Sequence, residues 1–360
     1  MSPMRRSIQV VLLVGQLVVV ASCQQKSENA GSTATPEAST KAPAGKVEMA
    51  LANAVASGAP AATSSSGPPP DGILELARAE AEAPSGQAPK LTIGANGAEP
   101  RVMLRSPRAN LPRTVKLEVT LQSGMDQGLP PIEMTLGLDS KPVAATAKSA
   151  GSDKVDGRSL VVTARVRDVK VSMPNVPQEF ITQISALKGS KVTFTMASDG
   201  GGYGFNSELA TGAKSELRDL LDSIAEGLTV ATLPVPTVPV GDGAFWMVVA
   251  REKVAGFGLV TYHMVKLVRA DDKAAEVEFN SRRYAVGRLV DPAMLPPGSE
   301  NVTLKEISAS AKGGIRWSVD AVLPTSVEAN TMLRGALDSG EGVPKRAVQS
   351  GTNFRISVAR

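Results

Sequence analysis

Residue types able to run catalysis are scarce in this chain, and the scarcity removes most chemistries at once. It carries one histidine, His263, and one cysteine, Cys23. No pair of histidines can hold a metal, and an intrachain disulfide is impossible. Cys23 sits against the N-terminal leader, which leaves no Cys–His dyad in the body of the protein. A Ser-His-Asp triad would have to use His263. That residue lies mid-strand among Tyr262, Met264 and Val265, and no Gly-x-Ser-x-Gly elbow occurs in the globular part. His263 therefore reads as a packed or half-exposed strand residue. Paired carboxylates could hydrolyse a glycoside, but the acidic residues fall mainly on turns and outward strand positions. Asp199, beside Gly200-Gly201-Gly202, and Asp242, within Gly241-Asp242-Gly243, read as turn residues bonding local backbone. The glycine run is no phosphate cradle, because no Lys-Ser/Thr follows it and it joins two strand-like segments. Neither a calcium loop nor a dinucleotide motif is present. The expectation is a protein that is not an enzyme, with no metal and no cofactor. A formal net charge of +4 over 360 residues is also no nucleic-acid footprint, so no nucleic-acid partner is expected.

The elements around these residues are mostly strands. Val115, Leu117, Val119 and Leu121 alternate with polar residues, as do Ile132 to Leu138 and Leu160 to Val166. The apolar phase then slips to Val169 and Val171, as a bulge near Arg167-Asp168 would produce. Phe180, Ile181 and Ile184 suggest a short helix before Leu187, and Val192, Phe194 and Met196 a further strand. Ser198 to Gly202 reads as a hairpin turn leading to Tyr203 and Phe205. Downstream, Phe245 to Arg251, Leu259 to Val268, Ala275 to Phe279 (continuing to Tyr284 and Val286), Val302 to Ala311, Ile315 to Leu323, Val327 to Leu337 and Phe354 to Val358 all read as strands. Gly313-Gly314 reads as a two-residue hairpin turn.

One long helix, at about 213–227, interrupts this series. Leu217, Leu220, Leu221, Ile224 and Leu228 recur on one face, while Glu216, Arg218, Asp219, Asp222 and Glu226 are expected to face water. Gly227 is placed to end the helix in a left-handed residue. Leu233-Pro234-Val235-Pro236-Thr237-Val238-Pro239 then forces an extended connector. The fold expected is mainly β: a curved antiparallel meander, half-barrel-like, with one central amphipathic helix packed on its concave face.

The N-terminus has a different texture. Met4-Arg5-Arg6 is a positive start, and Ile8 to Val20 an apolar run too short for a membrane span of about 20 residues. Residues 1–22 read as a signal peptide. From 23 to 100 the chain is rich in Ala, Ser and Pro, which predicts a disordered tether. Gly72 to Ala83, with Ile73, Leu74, Leu76 and Ala77 on one side, reads first as a frayed helix within it, with docking of that piece onto the body as the alternative. The antiparallel domain is expected over 101–360.

Val20-Ala21-Ser22-Cys23 resembles a bacterial lipobox. The resemblance implies diacylglyceryl attachment to the Cys23 thiol, cleavage before it, and a lasting membrane anchor. Gln24 is not the aspartate that retains enteric lipoproteins in the inner membrane, so the implied location is the outer membrane, facing the periplasm. From about Thr114 to Tyr284 the pattern resembles a group of uncharacterised bacterial lipoproteins. Its marks are Leu187-Lys188-Gly189-Ser190, the glycine hairpin, the helix, the Leu233-Pro234 connector and Val240-Gly241-Asp242-Gly243-Ala244-Phe245-Trp246. The common form has tryptophan soon after the Gly-Asp turn, whereas this chain inserts Phe245 first. More distantly the architecture resembles lipoprotein-carrier (LolA-like) half-barrels, in which a curved sheet grips acyl chains beneath a helix. The first functional expectation is a non-enzymatic structural or interaction lipoprotein of the envelope, partnered by the membrane and an envelope protein. The alternative is a carrier of a lipid or other hydrophobe, gripped by Phe205, Leu217, Leu220, Leu221, Ile224 and Trp246. Aromatics at 3% and 12 methionines suit an adaptable groove, yet methionine also fills cores.

Overall fold

The computed structural model describes residues 68–104, 114–123, 127–128, 130–143, 159–254, 256–271, 273–290, 302–318, 323–338 and 346–358. The leader, Cys23 and most of the expected tether lie outside the described residues. The strands are β1 (Ile73–Leu74), β2 (Lys90–Ala95), β3 (Thr114–Ser123), β4 (Gln127–Gly128), β5 (Ile132–Pro142), β6 (Leu160–Val171), β7 (Lys191–Met196) and β8 (Gly202–Glu208). They continue as β9 (Phe245–Val254), β10 (Phe257–Ala270), β11 (Ala274–Val286), β12 (Thr303–Ser318), β13 (Ser326–Asp338) and β14 (Arg346–Val358). The helices are α1 (Leu76–Glu82), α2 (Gln178–Ser185) and α3 (Arg218–Ala231), the last entered through a 3-10 turn, Ser215–Leu217.

All fourteen strands belong to one sheet with the main order β2-β9-β10-β11-β12-β13-β14-β3-β5-β6-β7-β8. Neighbours along this path are antiparallel, and the short β1 adds to β11 in parallel. The sheet is curved but not closed, and β2 and β8 are its two edges. So long a sheet must curl, since each strand adds twist. Bulges sharpen the bend: Thr135 pairs with Asp168 and Leu136 with Val166, leaving Arg167 as the extra residue that the phase slip foretold.

α3 lies on the concave face. Leu220, Leu221 and Ile224 are each 0% exposed there, in one cluster with Leu117, Phe194, Trp246, Val277 and Phe354. The fold class expected from the alternations is the one observed.

Three local expectations are overturned. Gly227 does not end α3 but lies inside it, where a Cβ would stand 3.1 Å from Phe354 Cδ1 and 3.5 Å from Leu117 Cδ1. Its use is close approach of helix to sheet. The helix ends at Thr232, whose N–H bonds the Leu228 carbonyl and whose own carbonyl accepts from Gly202 N–H. Gly313-Gly314 is no hairpin turn, because β12 runs straight through it. A Cβ on Gly313 would collide with the Glu328 carbonyl and the Phe279 ring, so glycine here lets packed strands approach. β11 continues to Val286 as expected, in one phase: Ser281 and Arg283 keep the inward alternation, and Tyr284 packs on the opposite face.

The third concerns the tether. Residues 68–100 belong to the folded body. Leu74, Ala79 and Ala83 pack on Val260 and Tyr262, on the sheet face away from α3. Asp71 meets Arg288 at 2.6 Å, and β2 is the edge strand beside β9. Within Gly72 to Ala83 the helix is present over Leu76–Glu82, but it is docked rather than frayed, Ile73 and Leu74 are buried strand residues, and Leu76 is 60% exposed.

Candidate functional site

Inward positions on the concave face are apolar at both ends and polar in the middle. Beneath α3 lies the large cluster just described; at the far end Phe257, Leu259, Leu304, Ile307 and Leu333 form a second. Between them the alternation places Glu252 on β9, Thr261 and His263 on β10, Ser281 and Arg283 on β11, Thr331 on β13 and Thr352 on β14, all buried. Strand register makes this a layer. His263 faces Ser281, Thr261 faces Arg283, and Thr331 faces Thr352. Glu226 completes it from α3, one of the residues expected in water but 5% exposed.

The bonds are short. Arg283 Nη1 donates to Glu226 Oε1 at 2.7 Å, and Arg283 Nη2 lies 3.4 Å from Glu252 Oε2. Thr261 Oγ1 donates to Glu252 Oε2 at 2.7 Å. His263 Nε2 is 2.8 Å from Glu252 Oε1, and its Nδ1 is 2.7 Å from Ser281 Oγ. Burial alone would raise the Glu252 carboxyl, but Arg283 and His263 overcome it and hold the group at about 2. Glu226 goes the other way: burial raises it, Arg283 opposes, and the Glu252 charge raises it further.

Ser281, His263 and Glu252 form a hydroxyl–imidazole–carboxylate chain, the constellation of a nucleophilic hydrolase. Ser281 is 1% exposed and His263 0%, and neither lines a cleft described here. The hydroxyl is closed in by the layer around it, and the bonds from Ser281 through His263 to Glu252 tie β11, β10 and β9 together. No group of three or more metal-ligating side chains exists among the described residues.

A cleft of about 930 Å³ opens at the seam where the sheet fails to close. One wall is β8 with Phe205 and Ser207, and another is the β9–β10 end with Arg251 and Glu252. The helix contributes Asp219 and Asp222. Arg218 Nη1 donates to the Ser207 carbonyl at 2.6 Å, tying the start of α3 to the open edge of β8. Burial, and then the neighbouring Asp222 charge, push the Asp219 carboxyl up to about 6. Glu252 belongs to both places, lining this cleft while its buried carboxylate is bonded within the polar layer. A second, shallower depression of about 1000 Å³ crosses the outer face over Gly314, between charged side chains such as Lys312, Glu278 and Glu328.

The residues expected to grip a hydrophobe are brought together, but as core. Leu217, Leu220, Leu221, Ile224 and Trp246 are buried in the main cluster, and none lines either cleft. Trp246 Nε1 donates to the Pro234 carbonyl at 3.2 Å, which pins the proline connector to β9 despite the inserted Phe245. Phe205 alone lines the seam cleft, half-buried and stacked on Phe194 at 4.7 Å. Asp199 is the turn residue expected, its Oδ1 accepting from Gly201 N–H at 2.9 Å. Asp242 bonds backbone too, but that of Ala270, far along the chain.

Reasoning from the sequence passed over the buried polar layer. Its signal was present: Ser281 and Arg283 keep the inward alternation of Val277 and Phe279, and polar residues in phase with apolar ones mark buried polar positions. No protein-family model, curated protein or solved structure matches this chain, so its function must be read from its own residues and geometry.

Proposed function

We propose that this chain is a membrane-anchored bacterial lipoprotein of non-enzymatic type, a structural or protein-interaction module of the cell envelope. The membrane is its partner through acylated Cys23, and the outer membrane, facing the periplasm, is its place. The observation that carries the reading of the body is the packed helix. A hydrophobe carrier needs unfilled space under the apolar row, yet Leu220, Leu221 and Ile224 are each 0% exposed and surrounded by sheet side chains. The space at the seam is bordered by Asp219, Asp222 and Arg251, a lining an acyl chain would not enter without stripping water from charges. The closed-in position of Ser281 supports the non-enzymatic part. The lipobox-like run at Val20 to Cys23 supports the anchor.

Two arms of one experiment test this. Cys23→Ser should leave the detergent-extracted membrane fraction and collect as soluble or unprocessed protein; normal processing and unchanged fractionation would remove the anchor. The purified body, titrated with a fluorescent fatty acid, should show no saturable binding. Saturable, stoichiometric binding would establish the carrier instead.

A further inference from the structure

We propose that the seam is an acceptor slot for one extended segment of a partner protein, which enters as a strand and presents a basic side chain to α3. The inference rests on the interaction-module reading and names the kind of partner it takes.

Topology motivates it. Every step from β9 round to β8 is antiparallel, and there are ten of them. The number is even, so the two strands that flank the seam run in the same direction. One strand inserted between them, running the other way, is antiparallel to both and closes the curl without breaking its pattern. β2 already does this for the first half of β9, pairing antiparallel with Phe245 to Val249. It stops at Lys90. Pro89 before it has no N–H to give, and Gly86 and Ser85 lie on the lip of the cleft. Gly201 marks where the seam is shut, since a Cβ there would lie 3.4 Å from Pro89 Cδ. Beyond that point Ala250 to Val254 pair with β10 on one side and, among the described residues, with no strand on the other. This free stretch spans about 17 Å, an ordinary strand length.

Across the cleft β8 pairs with β7 alone. From Gly202 to Glu208 it carries neither proline nor lysine, and its one bulge, facing Thr193 to Thr195, leaves Gly204 against open space. The Ser207 carbonyl already takes a donor from outside the sheet, Arg218 Nη1 at 2.6 Å. On the opposite wall Arg251 Nη2 lies 3.4 Å from Glu80, while its Nη1 is buried with no acceptor among the described residues. A shielded donor left unbonded is costly, and a main-chain carbonyl laid along the slot supplies its acceptor.

Charge names the side chain. α3 forms the floor of the slot, where Asp219 and Asp222 crowd each other and have no ion pair among the described residues. Arg218 and Arg251 are committed to Ser207 and Glu80. A lysine or arginine over the first turns of α3 is therefore paired on arrival. An acidic segment in the same place would add a third negative charge to the two carboxylates.

Short random peptides displayed on phage, selected against the purified full chain, test the slot. Selected sequences should carry a lysine or arginine among residues of strand type, and the resynthesised peptide should bind saturably. On binding, hydrogen exchange should slow at Gly204 to Ser207 and at Arg251 to Val254. N-methylating every second residue of the peptide should weaken it by at least about tenfold whichever alternate set is methylated, because the strand bonds to both edges. Asp219→Asn combined with Asp222→Asn should weaken it by about tenfold; the methylated series needs no variant. Failure to select any sequence, selection of acidic ones, protection confined to other elements, or tolerance of either methylated set would overturn the slot. So would slowed exchange at both edges in the chain alone. Rising with concentration, it would assign the slot to a second copy; independent of concentration, to the chain's own residues before 68. Failure here, with the Cys23→Ser and fatty-acid arms as expected, would remove the slot and leave the interaction module standing.

Discussion

α3 meets the sheet through two contacts of equal burial and opposite chemistry. Toward its first turns, Leu220, Leu221 and Ile224 enter an apolar cluster where contact is non-directional and insensitive to pH. Two residues beyond Ile224, Glu226 enters the polar layer through a directed 2.7 Å bond. The apolar contact explains why a helix sits on this sheet at all. The polar one sets its depth and register, because only one placement brings Glu226 to Arg283 and Gly227 over Phe354. Burial by itself, then, does not say whether a contact drives folding or specifies its result.

The sharpest way to break the comparison is Arg283→Met. It removes the only guanidinium between two buried carboxylates, and unfolding measured at neutral pH should show a loss of roughly 3–5 kcal/mol. The loss should shrink as pH falls, once Glu252 can be protonated. With Arg283 in place, Glu252 contributes stability above its ordinary value of 4.5, and that contribution is lost only as pH falls toward about 2. An equal loss at every pH would mean that Arg283 acts through packing alone.

Leu220→Ala and Ile224→Ala probe the other contact. Each should cost roughly 2–5 kcal/mol, from lost burial and the cavity left behind, with no pH dependence. Small losses at both positions would show that the apolar row faces yielding space rather than core.

The least effect is expected from Asp219→Asn at the seam. Asp219 is raised from 3.8 to about 6, so folding stability falls as pH rises through that window. The amide should stabilise the fold above about pH 6, by no more than about 1 kcal/mol because the side chain is half exposed to solvent. A destabilised variant would reveal a bond to the Asp219 carboxylate that outweighs its crowding by Asp222.

Much of the architecture was legible before any coordinate. Alternation named the strands from Val115 to Val171, the phase slip found the bulge at Arg167, and the leucine spacing found α3 and its buried face. These are local properties, since side-chain period follows directly from backbone geometry. Reading by period failed where a residue's surroundings come from distant chain. β10 is apolar on both faces because the 68–104 segment returns to cover its outer side, which no window around Val260 reveals. Gly227 and Gly313 were read as endings, glycine's commonest local use, although both mark close approach to elements far away in sequence.

Composition and spacing alone determined that this protein lacks the histidines and cysteines for most catalysis, that it is built of antiparallel strands, and that one amphipathic helix covers them. Tertiary structure decided that the apolar row is filled, that the segment after residue 67 is part of the body, and that Glu226 leaves water for Arg283. The reason is physical. A hydrophobic period records which side of an element avoids water, whereas a buried charge is tolerable only beside its partner, and that partner lies 57 residues further on, on another element.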